Sequence, residues 1–380
     1  MKIAIISPWT ISPNAIGGTE RFVVDLAESF TILGHSVDVY MLSGKEYNYN
    51  KVNYRSINLF DRDDKINEFV LRKRFGSLNN IDAYIKLANK IEKLVDFSKY
   101  DLIHLNSLLF LKLCKGKKRI FTIHTNPFEY KMDWGKSSFE IMIKIMKEEG
   151  KDKNTVFVAP SQYYSKKYYD LSGVKIKHIP HAININRLKS SFSNKEILEK
   201  LDLDGTKKII LLPSRLEPCQ KQPMLFFYAF SKFNDSIKKQ FQVICTGADD
   251  QYIQYKNVIE DFCLNNNILL KVIRFDNMAD AYKIASLVVL PSKSESFGYS
   301  ALEAISLGIP TILNKIPTYE EIFKLSKNTY IFNNSEQALF CVLNKCLNMT
   351  LKRIRQSDEW LNQYKMDLFA YRYLQLLNEI

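Results

Sequence analysis

The sequence predicts an α/β protein made of two parallel-sheet halves of similar size. Three observations carry this expectation. Short apolar runs alternate with helical patterns, as they do where parallel strands are covered on both faces. The alternation restarts after Pro180. The chain has 380 residues, more than the roughly 250–300 at which a single core stops growing.

The elements follow in order. Lys2–Ser7 is a first strand with Ile3, Ile5 and Ile6. A loop leads to a helix from about Thr19, where Phe22, Val23, Leu26, Ala27 and Phe30 fall on one face. Gly34 follows where a C-terminal cap is expected. Ser36–Met41, Val52–Leu59, Asp101–Leu105, Arg119–His124, Thr155–Ala159 and Lys175–Ile179 are further apolar segments. After Pro180, Lys208–Pro213 starts the second series. Pro223 sits where a helix begins, with Leu225, Phe226, Ala229, Phe230 and Phe233 as its expected buried face. Phe241–Thr246, Leu269–Phe275, Leu287–Pro291, Pro310–Leu313 and Thr329–Phe332 continue the strands. Met366–Ile380 reads as a last helix, rich in Tyr and Leu. The expected division is 1–180 with a helix at about 362–380, and 181–361.

Composition removes several classes. Hydrophobic residues make up 46% and charged residues 25%, which excludes a disordered chain. No apolar run approaches the 18 or so residues of a membrane span; Leu102–Cys114 is broken by His104, Asn106, Ser107 and Lys112. The N-terminus reads as a strand, with neither the long apolar core nor the cleavage site of a signal peptide. The six cysteines form no CxxC pair and sit on apolar segments, which suggests reduced thiols and a cytoplasmic setting. The net charge of +13 invites an anion: nucleic acid, anionic lipid or a phosphate-bearing ligand.

Four constellations carry chemistry. The first runs from Pro291 to Ala304 and includes Glu295, Phe297, Gly298, Tyr299, Ser300 and Glu303. A strand ends, a short loop passes a glycine, and a helix opens, so free N–H groups and a positive helix end form a phosphate cradle. Glu303, one turn into the helix, is placed to grip two sugar hydroxyls. The second is Arg215 and Lys221 around a loop after a strand, two fixed cations suited to a diphosphate. The third is His124 at the end of a strand. The fourth is Gly17-Gly18-Thr19, where glycines permit close backbone approach and Thr19 is expected to cap the helix. It is not the GxGxxG fingerprint, so dinucleotide binding is disfavoured.

In order and spacing these residues resemble the GT-B-fold retaining glycosyltransferases of family 4 over nearly the whole chain. The most specific element is the pair Glu295 and Glu303, followed by Gly308-Ile309-Pro310-Thr311. The resemblance implies two Rossmann-like domains facing across a cleft, the first on the acceptor side and the second holding a nucleotide-sugar donor. It implies that Arg215 and Lys221 hold the diphosphate without a metal or other cofactor. Glu295 and the backbone at Phe297, Gly298, Tyr299 and Ser300 would contact the sugar and phosphates, and Glu303 the ribose. His124 would stand beside the reacting centre, and Gly17 and Gly18 against the phosphates. Asn277 and Met278 would lie in the nucleobase loop. The last helix would cross back to the first domain. Departures are Ser214 before Arg215, Gln222 after Lys221, His181-Ala182 for an Asn-Gly, and a reduced glycine loop at Thr246-Gly247-Ala248.

The implied reaction moves a hexosyl unit, from a UDP-sugar in preference to a GDP-sugar, to a glycan or lipid-linked hydroxyl in cell-envelope synthesis. A non-catalytic partner subunit of another transferase, or a transferase acting on protein or a small molecule, is the alternative. Intact Arg215, Lys221, Glu295 and Glu303 argue against the subunit. A metal-dependent rival rests on Asp61-Arg62-Asp63, and the two-half layout disagrees with it. Nucleic-acid binding lacks any module pattern. Lys112, Lys115, Lys117, Lys118 and Arg119 cluster without an acid, and Phe139, Met142, Ile143, Ile145 and Met146 share a helical segment with Lys136, Lys144 and Lys147. Together they suggest peripheral contact with an anionic membrane at the cytoplasmic face.

Overall fold

The structure is a computed structural model that describes residues 1–13, 17–60, 68–127, 135–247 and 252–380. Asp61, Arg62 and Asp63 lie outside the described residues. The chain forms two units: Met1–Ala182 with Gln363–Ile380, and Ile183–Asn362.

The first unit holds an eight-stranded sheet. Its strands are β1 (Lys2–Ser7), β2 (Ser36–Met41), β3 (Tyr47–Tyr49), β4 (Val52–Ser56), β5 (Leu102–Leu105), β6 (Arg119–Thr122), β7 (Thr155–Ala159) and β8 (Ile176–His178). The spatial order is β3-β4-β2-β1-β5-β6-β7-β8. Every pairing is parallel except β3 with β4. The central strands are buried because both sheet faces are covered, which is why they read as continuous apolar runs. Strand β3 has no such run: it is polar, lies at the sheet edge and is missing from the sequence-based series.

The second unit holds six parallel strands: β9 (Lys208–Arg215), β10 (Phe241–Gly247), β11 (Leu270–Val272), β12 (Ala285–Leu290), β13 (Thr311–Asn314) and β14 (Thr329–Phe332). Their order is β11-β10-β9-β12-β13-β14. In each sheet the strand order reverses beside the first strand, between β1 and β5 and between β9 and β12. Such reversal points are where ligands of open α/β sheets bind.

Several helices refine the expectations. The first runs Gly18–Ile32 with Gly17, not Thr19, in the cap position, and no side chain caps it. Its expected apolar face is fully buried. The helix Pro223–Ser231 has Pro at its first position and buries Met224 and Phe227 beside Phe226, while Leu225 is left half-buried. The last helix, Met366–Gln375, belongs to the first unit, where Phe369 and Tyr373 pack on Phe22.

The basic segment is corrected most. Arg119 is completely buried. Its guanidinium donates to Glu149 at 2.5 Å, to the Leu113 carbonyl at 2.9 Å and to Thr155 Oγ1 at 2.9 Å. Lys112 reaches Glu149 at 2.8 Å and Glu148 at 3.2 Å. Burial alone would raise the Glu149 carboxyl pKa, but hydrogen bonds from Lys112 and Arg119 outweigh it and hold the group below its usual range. Two of the five clustered cations therefore serve the interior. The helix Lys136–Glu149 likewise turns Phe139, Met142, Ile145 and Met146 into the core, so this apolar face is not available to a lipid surface.

Candidate active site

In the second unit, Arg215 is the last residue of β9 and pairs with Gly247 at the end of β10, after a register shift. The approach is close: a Cβ on Gly247 would lie 2.3 Å from Arg215 Cα and 2.4 Å from the Ser214 carbonyl oxygen. Only glycine fits against that backbone. Arg215 itself is exposed.

The loop after β9 is wound around Glu217. Its carboxylate accepts backbone N–H bonds from Cys219 at 2.8 Å, from Lys221 at 3.1 Å, and from Gln220. That winding turns Lys221 toward the loop after β12. There Lys221 Nζ donates to Glu295 Oε1 at 2.6 Å, both side chains being largely buried. Two further bonds staple the loops: Lys293 N–H to the Gln220 carbonyl at 2.7 Å, and Gln220 Nε2 to the Ser294 carbonyl at 3.2 Å. The two charged groups, 74 residues apart, thus form one preset pair.

Gln222 occupies the left-handed region at φ 48°. This accounts for glycine being usual after the lysine in the family it resembles. A side chain there costs about 1 kcal/mol, and Gln222 Oε1 is buried without a partner among the described residues. Gln222→Gly is expected to raise stability by about 0.5–1 kcal/mol, read as a higher denaturant midpoint with an unchanged slope.

The helix Tyr299–Ser306 starts at Gly298, whose φ is 97°. A Cβ there would meet the Tyr319 ring at 2.5 Å. Tyr319 is buried beside Glu295, and burial together with that carboxylate drives its hydroxyl pKa well up, so it remains protonated. Phe297 anchors the loop in the core, and Tyr299 packs on it edge to face. Ser300 Oγ donates to the Pro213 carbonyl at 2.9 Å, tying the helix start to β9. Ala301, Leu302, Ala304 and Ile305 are buried, which leaves Glu303 half-exposed on the opposite side. Its Oε2 accepts from Tyr282 Oη at 2.8 Å. Tyr282 lies on the helix Met278–Ile284, which Asn277 caps by accepting the Ala279 N–H at 3.0 Å. Asn277 and Met278 therefore open the helix that meets Glu303.

In the first unit, His124 follows β6 and is half-buried. Its Nε2 is 2.6 Å from Asn106 Oδ1, and its ring packs edge-on against Phe22 and at 5.6 Å from His181. His104, fully buried, bonds Thr122 Oγ1 at 2.9 Å, and Thr122 in turn meets Tyr373 Oη at 2.8 Å. Burial pushes the His104 pKa down to about 3, and lowers His124 and His181 in the same direction, so all three are neutral at pH 7. Gly17 and Gly18 open the helix after β1; the Glu20 carboxylate folds over Gly17.

The second unit thus gathers Arg215, Lys221, Glu295, Gly298, Ser300 and Glu303 at the β9/β12 reversal point, and the first unit sets His124 at the ends of β5 and β6. Sequence reasoning assigned no role to Tyr282, Tyr319 or Asn106. A tyrosine on an apolar helix reads as core, and only a fold reveals which carboxylate its hydroxyl meets. Among the described residues no cluster of three or more His, Cys, Asp or Glu is arranged to hold a metal ion, and no helix is long and apolar enough to cross a membrane.

Two family sequence models cover most of the chain: Glycosyltransferase Family 4 matches residues 16–187, and Glycosyl transferases group 1 matches residues 193–359. An uncharacterized glycosyltransferase of Methanocaldococcus jannaschii is 24% identical over 86% of this chain and 84% of its own length. The alpha-monoglucosyldiacylglycerol synthase of Acholeplasma laidlawii is 22% identical over 89% of this chain and 86% of its own. The crystal structure of Anabaena Alr3699/HepE in complex with UDP and glucose superposes with a TM-score of 0.71 at 17% identity, over the full length of both chains.

Proposed function

The chain belongs to the family 4 (group 1) glycosyltransferases, with the GT-B fold, and on that premise we propose that it is a retaining, metal-independent hexosyltransferase. The donor is a nucleotide-diphosphate sugar, UDP-linked in preference to GDP-linked. The acceptor is a hydroxyl of a glycan or lipid-linked saccharide of the cell envelope.

The observation that carries this reading is the Lys221–Glu295 pair at the β9/β12 reversal point, with Arg215 and the N-terminus of the helix Tyr299–Ser306 on the same loops. An oxocarbenium-like transition state loads negative charge onto the departing phosphate. Arg215, Lys221 and the helix start oppose that charge, and because Glu295 already holds Lys221, little reorganisation is needed as the charge grows. Glu295 also offers a carboxylate to the sugar. Glu303, steadied by Tyr282, accepts from ribose hydroxyls. His124, neutral and hydrogen-bonded, serves the reacting sugar as a polar contact rather than as a cation. The acceptor proton leaves with the phosphate on the same face, which preserves the anomeric configuration. The Anabaena structure with UDP and glucose supports the donor class, and the Acholeplasma lipid glycosyltransferase supports the acceptor class.

A product assay over UDP- and GDP-sugars, with donor hydrolysis as readout, tests the proposal. Turnover is expected with a UDP-sugar, undiminished in excess EDTA, with the anomer retained by NMR. Absence of turnover with every donor, or its loss in EDTA, overturns the reading.

The proposal extends to an enzyme working at the cytoplasmic face of an anionic membrane. Contact there would rest on charge, through exposed Lys115, Lys117 and Lys118, since the neighbouring apolar helix face is spent on the core. Flotation with anionic liposomes is therefore expected to fall steeply with salt and to be lost when all three lysines become glutamine. Binding that persists in that variant or in high salt removes this part of the proposal.

A further inference from the structure

A cavity of about 100 Å3 lies entirely within the first unit, at the ends of β1, β5 and β6, and Trp9, Thr19, Asn106, Ser107, His124 and Thr125 are among its walls. Asn106 is 2% exposed and follows β5 directly; its backbone N–H donates to the Ile6 carbonyl at 2.9 Å, which fixes the residue between β1 and β5. Its Oδ1 is 2.6 Å from His124 Nε2. An amide oxygen has only lone pairs to offer, so Nε2 carries the proton and Nδ1 is left as the basic nitrogen. The second half of the amide, Nδ2, is buried and has no partner among the described residues. A buried amide N–H without an acceptor carries an unrecovered desolvation cost, so a group that accepts from it on binding recovers that cost.

We infer that Asn106 is a positioning residue for the transfer reaction: it fixes His124 as the Nε2–H tautomer, so that Nδ1 is an acceptor, and it offers its own Nδ2–H to a sugar hydroxyl entering this cavity. A hydroxyl both donates and accepts, and the Asn106–His124 unit supplies the complementary pair, one basic nitrogen and one N–H. The side chain of Phe22, 4.5 Å from the His124 ring, holds the imidazole plane. The inference rests on the reading of His124 as a residue beside the reacting sugar.

The test combines 15N NMR of the imidazole nitrogens with donor-hydrolysis kinetics on the full chain, for wild type, Asn106→Ala, Asn106→Asp and His124→Ala. Wild-type His124 is expected as the Nε2–H form. Asn106→Ala is expected to give mixed tautomers, to lower kcat on the order of 10- to 100-fold, as small misplacements of reacting groups do, and to raise KM, since the Nδ2 contact to the sugar hydroxyl is lost as well. Asn106→Asp keeps the oxygen acceptor and serves where the alanine variant fails to fold. It should retain the Nε2–H form and a higher kcat than Asn106→Ala, while lacking the Nδ2 donor. An Nδ1–H form in wild type, or Asn106→Ala within twofold of wild-type kcat, overturns the inference. Wild-type turnover in His124→Ala instead overturns the reading of His124 on which it stands.

Discussion

Replacing Lys221 by alanine is expected to lower kcat for sugar transfer on the order of 10²–10³-fold, equivalent to about 3–4 kcal/mol of barrier. The ammonium is the one described cation held by a carboxylate in these loops, 2.6 Å from Glu295. On the proposed mechanism, removing it withdraws charge from the leaving phosphate and also frees Glu295, so the sugar loses an oriented partner. The same change strands a largely buried carboxylate, which destabilises the fold as well. Circular dichroism and a denaturant midpoint separate the two effects, and Lys221→Met combined with Glu295→Gln removes both charges together. That double variant should recover stability without recovering turnover. A folded Lys221→Ala protein working at the wild-type rate would sink the assignment of these loops to the donor diphosphate.

The second large effect is on stability and comes from the buried histidines. His104 is fully buried and His181 is 2% exposed, and desolvation lowers both pKa values, His104 to about 3. In the unfolded chain each titrates near the ordinary value of about 6.5. Between those values the unfolded state binds more protons than the folded one, so stability falls as pH falls. The contribution is whole above about pH 7 and is lost progressively below it. At pH 5 neutral His104 costs about 2 kcal/mol relative to pH 7, and His181 adds to the loss in the same direction. His124 shifts in the same direction and adds to the loss. Carboxylates such as Glu149, held below their usual range, weaken the fold only at lower pH. Urea midpoints at pH 7 and pH 5 measure the effect, and His104→Gln should flatten part of it. A midpoint unchanged across that range would show that these rings do not remain neutral in the folded state.

Both predictions depend on pairings that no local pattern announces. Strands β1, β2 and β7 have the bounds their apolar runs suggest, because strands buried on both faces are largely apolar; β14 has its expected bounds too, although it is a partly exposed edge strand. The local setting of three of the four constellations was also legible: Gly17-Gly18, Arg215 with Lys221, and Glu295 to Glu303 each lie between a strand end and a helix start. Tyr47–Tyr49 was not legible, since an exposed edge strand carries no apolar period. Nor was the fate of the basic run Lys112–Arg119. A lysine-rich segment reads as solvated surface, yet Arg119 is completely buried against Glu149 and Asp152, 30 and 33 residues further on.

By itself, the sequence determined the rhythm of two α/β halves and the order and spacing of charged groups and glycines by which the chain resembles the family 4 glycosyltransferases. Both are written in local composition: which residues are apolar, and which loop follows which strand. The tertiary structure alone decided which groups meet: Lys221 with Glu295, Tyr282 with Glu303, Asn106 with His124, and Arg119 with Glu149. It also decided which face of the helix Lys136–Glu149 is spent on the core. The physical reason is that ion pairing, tautomer choice and burial are set by contacts between residues 18 to 74 positions apart. Those contacts exist only once the strands are ordered side by side.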